Sequence, residues 1–349
     1  ADVMPWIIRW ARRSGFLDHP GPRKVHTEPM PYGGGLAVAF GVLLVLGGGA
    51  LGAWIHLRTG WMSRLPESVT MHARGVLAKI PTLGVYILGS LIMLIVGLVD
   101  DRRKLTARRK LLLQILVAAG TAAAGERLSL FWEGSLVGNL VGGGVTILWI
   151  VGITNAFNLL DHMDGLSAGV AFLTSVAFGI VAIGTGQIFI AAGLAALAGA
   201  SLGALLFNFP PARIFLGDAG SLFIGYWISV LTVSFTFWEG ERPIYAYGVP
   251  LVVLALPIFD TVRVVLIRIR SGRPIFEGDM NHFAHRLLAL GLSRRSAVLT
   301  VYALTAVTGL AAVLLYQVNL LGAGIILSQL ILVFAIITLL EIAGRRHGV

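Results

Sequence analysis

The sequence predicts an all-α integral membrane protein: a single domain, residues 1–349, built as a bundle of about ten transmembrane helices. Three observations favour this class. First, 56% of the residues are hydrophobic and only 13% are charged, where a soluble domain carries about 25% charged residues. Second, ten apolar windows approach the ~20 residues that a membrane-spanning helix needs. Third, Lys and Arg concentrate in alternate loops.

The ten windows give the order of the chain and its orientation. They cover residues 34–55, 80–99, 110–126, 137–157, 165–184, 187–208, 219–238, 246–268, 297–317 and 321–342. When they alternate across the membrane, six of the 27 Lys and Arg lie on one side, which leaves 21 on the other. The positive-inside rule makes this second side cytoplasmic. The net charge of +10 thus suits anionic headgroups or a polyanionic substrate and does not indicate nucleic acid.

Two features of composition limit the chemistry and the span count. The chain has no cysteine, which excludes disulfides and thiolate catalysis. Its first stretch, ADVMPWIIRWARR, is too short and too charged to cross a bilayer. A further span ahead of this stretch is expected, and it would raise the number of spans to eleven.

The polar stretch NAFNLLDHMDG interrupts the apolar sequence between the fourth and fifth windows. It places Asn155, Asn158, Asp161 and Asp164 at a membrane boundary. One such group would fit a polar turn, but four within ten residues predict a functional site, because polar groups there are costly.

Two further carboxylate motifs stand at window ends. Asp100 and Asp101 close the second window and are followed by a run of bases that includes Lys110. Adjacent carboxylates repel, so they stay ionised only with a cation nearby. Asp218, in FPPARIFLGDAGS, precedes a predicted helix start, where free N–H groups favour phosphate. An Asp beside phosphate commonly acts through Mg²⁺; a stop signal for the first motif and a simple N-cap for the second are the alternatives.

The last long loop carries NHFAHR. His282 and His285 would share a helix face, with Arg286 one turn after His282. A zinc site is not favoured because no third ligand is evident, so phosphate binding is the prediction and an amphipathic surface helix the alternative. Before this loop, Asp260 and Arg263 are expected to form an internal ion pair.

These stretches, with RKVHTEPMPYGGG near the N-terminus, resemble in order the polyprenyl-phosphate N-acetylhexosamine-1-phosphate transferases. These bacterial enzymes move a sugar-1-phosphate from a UDP-sugar to undecaprenyl phosphate and release UMP. The resemblance implies a multi-pass protein of the bacterial inner (cytoplasmic) membrane with a cytoplasm-facing cleft. It also implies Mg²⁺, with Mn²⁺ as an alternative, and homodimers are common among relatives.

The resemblance also implies roles for individual residues. Asp218 would be the metal ligand, and Asp100 the base or positioning group for the lipid phosphate, supported by Asp101. Asn158, Asp161 and Asp164 would line the nucleotide and metal pocket, and the Phe215 ring would stack on uracil. The remaining substrate-binding residues would be Lys24, Lys110, Asn155, Asn208, His282, His285 and Arg286.

Two departures and one choice of branch follow. His162 stands where the family usually has Gly, and Ala284 stands where a further His is common, which leaves sugar specificity open. The loop resembles the N-acetylglucosamine branch, which starts lipopolysaccharide O-antigen or teichoic acid synthesis. The muramoyl-pentapeptide branch, with three successive histidines, is the alternative. A secondary transporter and a non-catalytic membrane scaffold are the rivals from other classes.

Overall fold

The computed structural model describes residues 1–20, 28–61, 67–128, 135–236, 244–274 and 281–346. In these ranges the chain is almost entirely helical, as predicted. Its helices are α1 (Met4–Ser14), α2 (Gly34–Thr59), α3 (Glu67–Thr70), α4 (Ala73–Ala78), α5 (Ile80–Arg103), α6 (Ala107–Ala123), α7 (Leu136–Leu160), α8 (Leu166–Gly184), α9 (Ile188–Asn208), α10 (Gly217–Val233), α11 (Val249–Val253), α12 (Ala255–Arg270), α13 (Phe283–Ala289), α14 (Arg294–Leu315) and α15 (Leu320–Arg346).

Helix α10 is the centre of the bundle. Every residue from Ala219 to Val233 is buried, including the large side chains of Tyr226 and Trp227. Its hydroxyls are satisfied within the protein: Thr232, for example, accepts a hydrogen bond of 2.9 Å from the Trp149 indole of α7. Since lipid is as apolar as these side chains, close packing and interhelical hydrogen bonds hold such a helix in place.

A glycine lets α5 lie directly against the start of α10. A Cβ on Gly97 would stand 2.3 Å from both Cα and N of Ala219, a distance that real Cβ atoms do not reach. The missing side chain therefore sets the approach of the two backbones. As a result, the carboxyl-terminal end of α5, with Asp100 and Asp101, meets the amino-terminal end of α10, with Asp218.

Each predicted window coincides with a helix or, in one case, a helix pair. In the described residues, seven helices are long and apolar enough to span a membrane: α2, α5, α7, α8, α9, α14 and the Leu320–Leu339 part of α15. The bent pair Tyr245–Val253 and Ala255–Arg270 makes up to eight. Helix α10 is apolar but has 17 residues, and α6 also has 17. The integral membrane class is confirmed, while the count of ten stays a prediction.

The candidate span over 246–268 is not one continuous helix. The two helical parts of this region meet at an angle of 69°. Pro257 has no N–H to donate to the carbonyl of Val253, so the helical hydrogen-bond ladder is interrupted at the break. This places α12 at an angle to α11 and carries its polar residues toward α13.

Two short strands between α1 and α2 form an antiparallel pair. Strand β1 (Leu17–Asp18) pairs antiparallel with β2 (Met30–Pro31). Directly after β2, Tyr32 forms a parallel bridge with Phe215, and the Phe215 N–H donates to the Pro31 carbonyl at 2.9 Å. The hairpin is therefore tied to the loop that enters α10.

Candidate functional site

The site begins with Asp101, which caps the amino terminus of α10. Its carboxylate accepts hydrogen bonds from the backbone N–H groups of Asp218 at 2.8 Å and Ala219 at 3.2 Å. Gly217 makes this possible: its φ is 73°, and a Cβ there would stand 2.6 Å from the Asp101 carboxylate. The helix dipole also stabilises a negative group at the amino-terminal end of α10.

This arrangement corrects one expectation from the sequence. The first N–H groups of α10 were predicted to bind phosphate, but the two described here are occupied by Asp101. The helix also begins at Gly217, one residue before Asp218, so Asp218 lies in its first turn. Asp101 is therefore the residue that holds Asp218 in place.

Asp218 is the point at which three other helices meet α10. Its carboxylate contacts the Lys110 ammonium from α6 on one oxygen. Its other oxygen accepts a hydrogen bond of 2.9 Å from the Asn158 amide of α7, which also donates to the Ser221 hydroxyl. Lys110 in turn bridges to Asp100 of α5 at 3.2 Å. Residues from three separate motifs, carried by four helices, thus converge at one end of the bundle.

Asp161 and Asp164 lie in the turn between α7 and α8 and differ in their contacts. Burial, and then the nearby carboxylates of Asp218, Asp101 and Asp164, raise the pKa of Asp161 well above its usual range. Asp164 accepts a hydrogen bond of 3.1 Å from the Ala212 N–H and so holds the loop that leads to α10. Asp161 therefore belongs to the cluster of carboxylates that includes Asp101 and Asp218. Asp164 instead holds the loop beside this cluster.

Asn155 and Asn208, both predicted to bind substrate, make hydrogen bonds within the protein. The Asn155 amide donates to Gln114 of α6 and to the Val151 carbonyl. The Asn208 amide, which is buried, accepts from the Gly165 N–H and donates to the Ile214 carbonyl, both at 2.9 Å. Because their amide groups bond to the protein itself, these contacts give no support to a role in holding substrate.

Phe215 lies beside the site, at the loop before α10. Its ring is half-buried and stands 6.2 Å from the Tyr32 ring, edge to face. Burial first, and then the charge of Asp18, raise the pKa of Tyr32, with smaller contributions from Asp101 and Asp218. Tyr32 is thus a site neighbour that the sequence analysis did not single out. Lys24, also predicted to bind substrate, lies outside the described residues.

The histidines form a cluster with His162, the residue that departs from the family pattern. The His162 ring stacks on His282, with centroids 4.3 Å apart, and lies 4.6 Å from the His285 ring. The two departures noted in sequence therefore lie in one region, because Ala284 stands between these two histidines in the chain. Burial, followed by the two neighbouring imidazoles, lowers the pKa of His162 to about 3, so the ring is neutral.

The cluster rests on Asp260 and Arg286. His282, which immediately precedes α13, contacts Asp260 through Nδ1 at 2.9 Å. The Arg286 guanidinium lies 3.9 Å from the same carboxylate and donates to the Asn281 carbonyl. Arg263 was the expected partner of Asp260, but in the described residues Asp260 contacts His282, Phe283 and Arg286 instead. Arg263 donates to Thr338 of α15 at 2.9 Å.

The donor set suits a hard divalent cation that also binds substrate oxygens. In the described residues, no group of three His, Asp or Glu side chains surrounds a single metal position. Mg²⁺ does not require one, since it keeps several waters and takes one or two carboxylates beside substrate phosphates. The carboxylates of Asp100, Asp101, Asp161 and Asp218 lie close together, and the Lys110 ammonium contacts two of them, Asp100 and Asp218. A divalent cation would favour the ionised form of such a cluster.

Comparison with known proteins agrees with this geometry. Residues 83–236 match the model of glycosyl transferase family 4. Over 350 residues the chain is 32% identical to the probable undecaprenyl-phosphate N-acetylglucosaminyl 1-phosphate transferase of Bacillus subtilis, covering 99% of this chain and 88% of that protein.

Two further relatives are similar over most of their length. The decaprenyl-phosphate N-acetylglucosaminephosphotransferase of Mycolicibacterium smegmatis is 32% identical over 85% of this chain and 74% of its own. The undecaprenyl-phosphate alpha-N-acetylglucosaminyl 1-phosphate transferase of Yersinia pestis is 26% identical over 89% of this chain and 78% of its own. The region matched by the family model contains Asp100, Asp101, Lys110, Asn158 and Asp218.

Proposed function

The chain belongs to glycosyl transferase family 4, in the branch of polyprenyl-phosphate N-acetylglucosamine-1-phosphate transferases, and on this premise we propose its reaction. It transfers N-acetylglucosamine-1-phosphate from UDP-N-acetylglucosamine to undecaprenyl phosphate and releases UMP. The observation that carries the proposal is the convergence of Asp100, Lys110, Asn158 and Asp218 from four helices at one end of the bundle.

The reaction exchanges one phosphoanhydride bond for another. An oxygen of the lipid phosphate attacks the β-phosphorus of the UDP-sugar. The bond from this phosphorus to the oxygen that it shares with the α-phosphorus breaks, and UMP leaves with that oxygen. Such a transfer depends on positioning and on neutralising charge more than on covalent help from the protein. A site of fixed carboxylates, one amide and one ammonium provides these two things.

The residues divide this work. Lys110 neutralises phosphate charge, and its contact with both Asp100 and Asp218 fixes the ammonium between them. Asn158 orients the Asp218 carboxylate, and Asp101 holds the first turn of α10. Asp100, on the same ammonium, positions the lipid phosphate. The half-buried Phe215 ring provides an apolar face for the uracil.

Mg²⁺ is proposed as the cofactor, held by Asp218, where it would act as a Lewis acid on the diphosphate. Mn²⁺ has the same preference for oxygen ligands and would substitute for it.

Orientation and pathway follow from the same reasoning. The basic side predicted to be cytoplasmic is the side on which Asp100–Lys110 and Asp218 meet, so the active site opens to the cytoplasm of a bacterial inner membrane. The product would start a cell-envelope polysaccharide such as O-antigen or teichoic acid, and a homodimer is the proposed assembly. The names of the relatives favour N-acetylglucosamine over the muramoyl-pentapeptide alternative. A transporter or a scaffold does not account for their shared activity.

The test is release of UMP by the purified protein in detergent. UMP is expected from UDP-N-acetylglucosamine when undecaprenyl phosphate and Mg²⁺ are both present, and EDTA should stop its release until Mg²⁺ is restored. UDP-muramoyl-pentapeptide is the competing donor. Release from the pentapeptide donor alone would move the protein to the other branch, and release from neither would overturn the transferase proposal.

A further inference from the structure

Asp260 is a buried carboxylate for which the sequence analysis predicted only an ion pair with Arg263. It lies on α12 and is 2% exposed. One oxygen accepts from the Phe283 N–H at 2.6 Å, and the other contacts Nδ1 of His282 at 2.9 Å. Burying a carboxylate is costly unless its oxygens are bonded, and both of these oxygens are used on consecutive residues at the start of α13.

The contact with His282 determines the state of that ring. An ionised carboxylate only accepts hydrogen bonds, so Nδ1 of His282 carries a proton and donates it. The ring nitrogen that remains, Nε2, is therefore the one available to a ligand. A carboxylate on Nδ1 also fixes the plane of an imidazole, as in other Asp–His pairs.

His162 packs on the face of the same ring. It stacks on His282 at 4.3 Å with the ring planes 21° apart. Its own Nδ1 donates to the Leu159 carbonyl at 2.8 Å, so its position is fixed from α7. His162 is adjacent in the chain to Asp161, whose neighbours include Asp101 and Asp218. The His282 ring is thus clamped between Asp260 and the turn that carries the carboxylate group.

We propose that Asp260 is a positioning residue of the active site, which acts through His282 by fixing its Nδ1–H tautomer and ring plane so that Nε2 is presented to a phosphate or hydroxyl of the donor. This inference rests on the proposed transferase function. Two groups contact the His282 ring: Asp260 from α12 and His162 from the turn after α7. From α13, His285 lies against the His162 ring and Arg286 lies near the Asp260 carboxylate.

A purely structural role is the competing explanation, because Asp260 also accepts from the Phe283 N–H and so caps α13. Asp260→Asn separates the two roles. The Asn oxygen still accepts from the Phe283 N–H, but its NH₂ group faces Nδ1 of His282 and forces this nitrogen to become an acceptor. The cap is retained, whereas the tautomer of His282 is reversed.

The experiment is a double-mutant cycle on UMP release, with Asp260→Asn, His282→Gln and the double variant in the full chain. Asp260→Asn is expected to lower kcat/KM by at least about tenfold. In the His282→Gln background the same change should cost less than about twofold, because the group it acts through is gone. Glu126→Gln, a carboxylate bonded to Tyr86 and Ser234 at the other end of the bundle, is the matched control and should leave activity unchanged.

The outcomes distinguish a failure of the proposed function from a failure of the role proposed for Asp260. If the wild type releases no UMP, the proposed function fails and this inference with it. If the wild type is active but Asp260→Asn matches it, Asp260 does not position His282. If the two single losses multiply in the double variant, and the thermal midpoint falls in parallel with activity, Asp260 has a structural role only and the inference is overturned.

Discussion

The same three helices, α5, α6 and α10, bring polar groups together at both of their ends, and the two ends differ in charge. At one end, Asp100 and Asp101 of α5 meet Lys110 of α6 and Asp218 of α10. At the other end, the Glu126 carboxylate, just after α6, accepts from Tyr86 of α5 and from Ser234, which follows α10. We refer to these as the carboxylate end and the hydroxyl end.

The comparison shows how a polar cluster in a membrane protein can be structural or functional. The hydroxyl end has one carboxylate and two described hydroxyl donors, so its hydrogen bonds are satisfied by the protein. At the carboxylate end four acidic side chains lie close together, of which Asp100 and Asp218 contact the Lys110 ammonium, and burial makes such a cluster costly. A bound divalent cation would offset the mutual repulsion of these carboxylates. Four variants test this difference, from the largest expected effect to the smallest.

Asp218→Asn should have the largest effect. It removes the charge from the residue at which Lys110 and Asn158 meet, while keeping a side chain of the same size. If Asp218 holds the metal that stabilises the reacting diphosphate, UMP release should fall by roughly a thousandfold. The thermal midpoint should stay near that of the wild type, since one of several repelling carboxylates has been neutralised. Activity within tenfold of the wild type would contradict the proposed role.

Lys110→Met comes next. The change removes the ammonium that bridges Asp100 and Asp218 and keeps much of the apolar stem. A charge-assisted contact of this kind contributes about 1.5–3 kcal/mol, so kcat/KM should fall by roughly ten- to a hundredfold. Arg109→Met is the control, because Arg109 precedes Lys110 on the same helix but is exposed. Equal losses in both variants would show that only the basic character of this segment matters.

Much of the carboxylate end could be predicted from the sequence, because each of its residues stands in a polar motif at the end of an apolar window. Which residues bond to each other could not. The Asp101–Asp218 contact joins positions 117 residues apart, and its geometry depends on how closely α5 approaches α10. The internal use of the Asn155 and Asn208 amides depends in the same way on side-chain direction, which no motif encodes.

Other parts of the structure had a signal that the sequence analysis did not use. Pro257, inside a predicted span, marks a missing backbone donor and therefore the break between α11 and α12. The stack of His162 on His282 is different: it joins a turn to a distant loop, and two unusual residues in separate motifs gave no indication that they would lie together. Windows of hydropathy recover helices well because burial in lipid acts on every residue of a span.

Gly97→Ala tests the packing that creates the carboxylate end. The added Cβ would stand 2.3 Å from the Ala219 backbone, so α5 and α10 must move apart. Overpacking of this kind costs about 1–3 kcal/mol of folding stability. Activity should fall with stability because Asp101 would lose its hold on the first turn of α10. Gly84→Ala, on the same helix but in open space, is the control and should leave both quantities unchanged. Equal tolerance of both substitutions would contradict the close approach.

Glu126→Gln should have the smallest effect and defines the hydroxyl end. The Gln oxygen can still accept from Tyr86 and Ser234, so the change removes charge but keeps acceptor capacity. Hydrogen bonds to a neutral acceptor are weaker than those to a carboxylate, and a loss of about 1 kcal/mol in stability is expected. UMP release should stay within about twofold of the wild type, because no reacting group depends on this end. Thermal unfolding and UMP release, measured on one preparation, check both values. A large loss of activity with the thermal midpoint unchanged would mean that the hydroxyl end also takes part in the reaction, and that charge surplus does not separate the functional end from the structural one.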